Sequence, residues 1–204
     1  MQQRKIVKHS PIMKKIITLL LAVSSLTAQA QSFKQLFLSM PEEICPLLSE
    51  YNRLELVDNQ TNNKEMKTRN HFKTFSKMTS LTDTYAHLEL SKSASKTFKM
   101  LATEQGDSII MVISTVVCDS VPDSSVSFYN TSWQQLPTED YISLPPTDYF
   151  RQINASADDN TLTLTFRNPL RLTLDGRAKP QPVTVVSTET LTWTTGKFEA
   201  STNG

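Results

Sequence analysis

Glycine is scarce: the 204 residues hold four, Gly106, Gly176, Gly196 and Gly204. Phosphate-binding loops, dinucleotide fingerprints and G-x-S-x-G elbows need clustered glycines, because the backbone must approach a phosphate or turn through positive φ. Four isolated ones argue against nucleotide-dependent and ordinary α/β-hydrolase chemistry. Histidine is equally sparse, with His9, His71 and His87. His87-Leu88-Glu89 places an imidazole and a carboxylate on one strand face, which is half of a metal site. Further ligands are not evident, so no metal or other cofactor is expected and the pair reads as a solvated face. A Ser–His–Asp triad can assemble from distant residues, yet nothing marks a particular serine.

Long apolar runs are also missing. The longest, IITLLLAVSSL at 16–26, falls short of the roughly 18–20 residues that span a bilayer, so no membrane span is expected. Lys14-Lys15 precede it and Ala28-Gln29-Ala30 follow. A basic start, a short apolar core and A-x-A are the parts of a cleaved secretory signal. Residues 1–30 are therefore expected to be a signal peptide, and 31–204 one domain. Gln31 would then come first, and since it is not cysteine no lipid anchor is expected. The basic segment before Met13 suggests that translation starts at Met13. Cleavage removes Arg4, Lys5, Lys8, Lys14 and Lys15 and no acid, shifting the net charge from +1 to −4. That average offers no field for nucleic acid or anionic lipid.

Cysteine is limited to Cys45 and Cys118. In an oxidising compartment they could close a long loop; two separate thiols is the plainer alternative.

The mature chain starts as helix. Ser32-x-x-Gln35 and Ser39-x-x-Glu42 fit capping boxes, and Pro41 suits a first helical turn. Ile44, Leu47, Leu48, Tyr51 and Leu54 recur at helical spacing, and the polar run 58–64 reads as a connector. Beyond residue 67 the period becomes two. Strands are expected around 85–90 and 97–102, over the apolar run 109–117 with both faces buried, and from 126 towards Trp133, with a turn at 104–107 and a loop at 119–124. Tyr129 and Trp133 are expected to close the core rather than serve a partner. Pro137, Pro145 and Pro146 mark a long connector, with a short helix at 147–153 capped by Thr147. Strands follow at 161–166, 170–174 and 183–193. The ten threonines of 161–195 follow no fixed repeat, so they read as a sheet's solvent face rather than an ice-binding array. Asp158-Asp159-Asn160 lacks a calcium-loop pattern and reads as a turn. The expected class is α+β: an N-terminal helical segment packed on a mainly antiparallel sheet of six to eight strands.

QSFKQLFLSMPEEICPLL (31–48) and GDSIIMVISTVVCDSVPDSSVSFYNTSWQQL (106–136) resemble an uncharacterised family of exported Bacteroidetes proteins, known as a domain of unknown function. The resemblance implies a periplasmic or outer-surface location in a Gram-negative cell and brings no catalytic residues. Such a setting also implies O-glycosylation at Asp-Ser followed by an apolar residue, which Ser108 and Ser120 satisfy. The sequons at Asn130 and Asn154 carry no such implication in a bacterium. Two function classes fit: a non-catalytic binding or assembly protein, whose partner would be an envelope protein or glycan met at open sheet edges, and an envelope hydrolase with dispersed catalytic residues.

Overall fold

The computed structural model describes residues 32–118, 120–168, 183–194 and 196–201. The signal-peptide reading and the strand expected at 170–174 lie outside them.

Helix α1 (Phe33–Leu38) starts where the sequence places it. Ser32 Oγ accepts from Gln35 N, and the Gln35 side chain accepts from Ser32 N. The second expected capping box does not form: Glu42–Ile44 is a short 3-10 turn preceded by Pro41, with no side-chain cap. The next helix, α2 (Glu50–Thr61), begins instead at a box between Ser49 and Asn52. It takes in the first half of the expected connector. Its buried side is Asn52, Arg53, Leu56 and Val57, whereas Tyr51 and Leu54 face solvent. The expected apolar face thus fails beyond Leu48, because its spacing runs across Pro46 and Ser49, through residues that are not helical. Asn63, with φ 53°, terminates α2 in the left-handed conformation.

Among the described residues eleven strands follow. They are β1 (Lys67–Arg69), β2 (Phe75–Leu81), β3 (Tyr85–Ser91), β4 (Ala94–Ala102), β5 (Ser108–Cys118), β6 (Val121–Asn130), β7 (Gln135–Leu136), β8 (Phe150–Ala155), β9 (Thr161–Arg167), β10 (Val185–Thr194) and β11 (Lys197–Ala200). The expectation of one sheet is corrected: β1 to β7 form a seven-stranded meander, and β11-β10-β9-β8 a separate four-stranded sheet. All strand pairs are antiparallel. The helix expected at 147–153 is absent. Thr147 accepts from Tyr149 N in a local turn, and β8 starts three residues later because its backbone finds β9. The loop expected at 119–124 is mostly strand: Val121 already pairs with Cys118, and Ser120 before it has φ 69°. Gly106 (φ 85°) sits in the expected β4–β5 turn, where Thr103 N donates to Asp107 O.

The large sheet carries a different core on each face. On one, Met78, Ala86, Leu88, Phe98, Ile110 and Val112 share a cluster with Phe33, Leu36, Phe37, Leu48, Leu56 and Val57 of the helical segment. Phe37 meets Phe98 edge-on, with centroids 5.9 Å apart. Trp133 closes this cluster, its Nε1 donating to Leu36 O at 3.0 Å, while Tyr129 packs partly buried beside it. On the other face, Leu101, Ile109, Met111, Ile113, Val126 and Phe128 pack against Ile153, Leu162, Leu164, Phe166, Leu191 and Phe198 of the small sheet.

Candidate functional site

The small sheet covers only part of that second face. Strand β5 shows the boundary: Ile109 to Ile113 are buried, Ser114 and Thr115 half-buried, and Val116, Val117 and Cys118 exposed. The run 109–117 is thus buried on both faces only over its first half, contrary to expectation.

What lies on the uncovered part follows from strand alternation and register. Lys67 pairs with Lys77, Lys77 with Glu89, Glu89 with Ser95, Ser95 with Thr115, and Thr115 with Ser124. A single row crossing six strands is therefore polar throughout. Adjacent to it, His87 pairs with Thr97, Thr97 with Ile113 and Ile113 with Val126, so the row turns apolar where the small sheet begins. At the small-sheet end the row is stitched down: Ser124 Oγ bonds Thr115 Oγ1 at 2.9 Å and accepts from Ile153 N at 3.1 Å.

A cavity of about 420 Å³ opens on this row, lined by His87, Glu89, Ser91, Lys92, Ala94, Ser95 and Val117. That size suits a small polar ligand or a short piece of a polymer. His87 Nδ1 lies 2.8 Å from Thr97 Oγ1, which fixes the ring. No bond joins either cavity serine to His87, and Ser91 Oγ is taken by Ser93 N. The lining therefore offers donors and acceptors to a ligand; the hydroxyl held by His87 is that of Thr97, which is buried and does not line the cavity.

Burial lowers the His87 pKa below its ordinary 6.5, and Glu89 partly offsets this. A depressed histidine binds fewer protons folded than unfolded just below pH 6.5, so its contribution to stability falls as pH drops through that window. An NMR titration should find the His87 midpoint below 6.5 and, in Glu89→Gln, lower still. A midpoint above 6.5 would contradict this environment.

The other sequence candidates are dispersed. His71 sits exposed between β1 and β2 and does not line the cavity. Asp159 Oδ1 accepts from Thr161 N at 2.9 Å and Oγ1 at 2.6 Å, which makes 158–160 a turn. Among the described residues no three His, Cys, Asp or Glu side chains converge as metal ligands, and no helix is long and apolar enough to cross a membrane. Both cysteines are free thiols. Burial raises Cys45 to about 11, so it stays protonated and inert; Cys118 is exposed at the end of β5. Ser108 is half-buried at the start of β5, whereas Ser120 is exposed in its turn.

The sheet edges are largely occupied. Asn52 and Asn59 of α2 donate to Arg69 O and Lys67 O on β1. Asp123 and Ser124 of β6 accept from Arg151 N and Ile153 N on β8. Phe198 N of β11 donates to Tyr141 O, and β7 is two residues long. Sequence reasoning found His87 and Glu89 but missed Ser95, Thr115 and Ser124, because their alignment is a matter of lateral pairing between strands.

A family model described as "Protein of unknown function (DUF3256)" matches residues 25–161. No curated protein matches the chain. A solved structure, described as a domain of an uncharacterized protein from Porphyromonas gingivalis W83, matches with a TM-score of 0.66 at 17% identity. The match covers 84% of this chain and 98% of that one. At such identity the likeness concerns the fold alone.

Proposed function

Given that the chain belongs to the DUF3256 family of proteins of unknown function, we propose a role from its own surface: a non-catalytic binding protein of the bacterial envelope. The carrying observation is the cavity on the uncovered polar row, where His87, Glu89, Lys92 and Ser95 converge. Neither the Glu89 carboxylate nor the Lys92 ammonium has an ion-pair partner among the described residues. In this reading the ligand is an envelope glycan or peptide fragment, the N-terminal helices cover the opposite face, and the small sheet braces the site. Partner binding by strand addition is disfavoured, because α2, β6 and Tyr141 occupy the edges.

Export rests on the leader pattern of residues 1–30. For sugar attachment, exposed Ser120 suits a modifying enzyme better than half-buried Ser108. Protein recovered from the host should begin at Gln31, with any mass above the bare chain removed by Ser120→Ala. An amino terminus upstream of Gln31 counts against export by this leader.

A second reading is kept because His87 and Glu89 share one cavity: a hydrolase using them as acid and base. Titration with soluble glycan and peptide fragments of the envelope separates the two. Binding with the fragment recovered intact supports the binding protein, and a cleaved fragment supports the hydrolase.

A further inference from the structure

The segment Lys64–Lys77 holds five cations, Lys64, Lys67, Arg69, Lys73 and Lys77, against one acid, Glu65, in a chain that is otherwise rich in acids. It folds as the β1–β2 hairpin at the margin of the polar row. Lys67 and Lys77 are direct cross-strand partners, an arrangement of like charges that destabilises a sheet. Among the described residues the Glu65 carboxylate pairs only with Lys77, at 3.3 Å. Two phenylalanines interleave with these cations and stay in water, Phe72 at 76% and Phe75 at 60% exposure. Lys67 Nζ lies 4.4 Å above the Phe75 ring, which places ring and cation on the same face. The surface continues through the Lys77–Glu89 pair into the cavity, where Lys92 adds another cation.

We propose that this surface binds an acidic glycan, laid across the strands from the β1–β2 hairpin into the cavity; the inference rests on the binding reading above. Lys67, Arg69, Lys77 and Lys92 meet carboxylate or phosphate substituents. Phe75 offers a flat apolar ring to a sugar face. Glu89, Ser95 and Thr115 take hydroxyls. Neighbouring strands lie about 4.8 Å apart, close to the length of one pyranose unit, so a row that crosses strands repeats in step with a sugar chain. Five of the sixteen Lys and Arg residues of the mature chain fall within 64–77, while that chain carries −4 overall; the hairpin is therefore a local cationic patch that suits a polyanion.

Calorimetry on the mature protein tests this with three probes: an oligogalacturonate, a neutral glucan oligosaccharide of equal length, and single-stranded DNA. The oligogalacturonate should bind, with affinity falling at least about tenfold between about 50 and 300 mM salt. Lys67→Glu/Lys77→Glu and Phe75→Ala should each weaken it more than about tenfold, whereas Lys34→Glu on α1 should leave it unchanged. These side chains are exposed, and matching circular dichroism shows that the variants fold. DNA binding as tight as the uronate, or an indifferent double variant, overturns the assignment. Neutral glucan binding that is lost in Glu89→Gln overturns it while preserving the cavity reading, and failure of every probe together with failure of the envelope fragments overturns both.

Discussion

Replacing Arg53 with methionine should destabilise the protein by about 3–4 kcal/mol in urea unfolding, the largest single effect expected of any charged residue. Arg53 is 2% exposed and has no carboxylate within ion-pair distance among the described residues. Its guanidinium instead clamps backbone: Nη1 donates to Leu48 O at 2.9 Å, and Nη2 to Met40 O at 2.6 Å and Leu38 O at 3.3 Å. Leu38 ends α1, so its carbonyl has no partner within its own helix. One side chain thereby joins the end of α1, the chain after it and the approach to α2. Methionine fills much of the space but strands these carbonyls. Each buried acceptor left without a donor costs on the order of 1–3 kcal/mol, and removing a buried charge offsets part of that. Arg53→Lys should recover only part of the loss, because an ammonium lacks the planar fork that spans separate acceptors. A methionine variant within about 0.5 kcal/mol of the parent would show that the clamp is dispensable.

Lys99→Met should cost about 2 kcal/mol and loosen one particular place. Lys99 is 3% exposed, and its Nζ donates to the carbonyls of Ser156 (2.8 Å), Ala157 (3.3 Å) and Asp159. These belong to the β8–β9 turn, so a lysine of the large sheet holds down the hairpin of the small one. Burial lowers its pKa from the ordinary 10.5, and Asp159 and Asp158 partly counter this. Hydrogen exchange should quicken at residues 156–161 in the variant while the β1–β4 amides keep their protection. Uniform loss across both sheets would contradict a local latch. Since the small sheet sets the boundary of the polar row, the same variant should weaken ligand binding far less than changes at Glu89 or Lys77.

Local chemistry made part of the fold legible. The Ser32–Gln35 capping box, the alternation of 85–90 and the turn at Gly106 depend on residues close in sequence, and the structure has them. Helix α2 was misplaced because Asn52, rather than Glu or Gln, completes its box. The start of β6 was hidden because Pro122, Asp123 and Ser124 look like loop; their strand conformation comes from pairing with β5. In β8 only Ile153 is fully buried, too little for a visible period. The division into two sheets was not legible at all, because it is decided by which apolar faces meet across the core. At the site, alternation put His87 beside Glu89, but the rest of the row is joined by register. The basic hairpin vanished into the net charge, where acids elsewhere cancel it.

Amide chemical-shift mapping during titration with envelope glycan fragments tests the uncovered row as a binding surface most directly. Saturable changes should concentrate at Lys67, Lys77, His87, Glu89, Ser95 and Thr115 and spare α1, α2 and β9–β11. Changes centred on the helical face or the small sheet, or none with any fragment at saturating concentration, would contradict it.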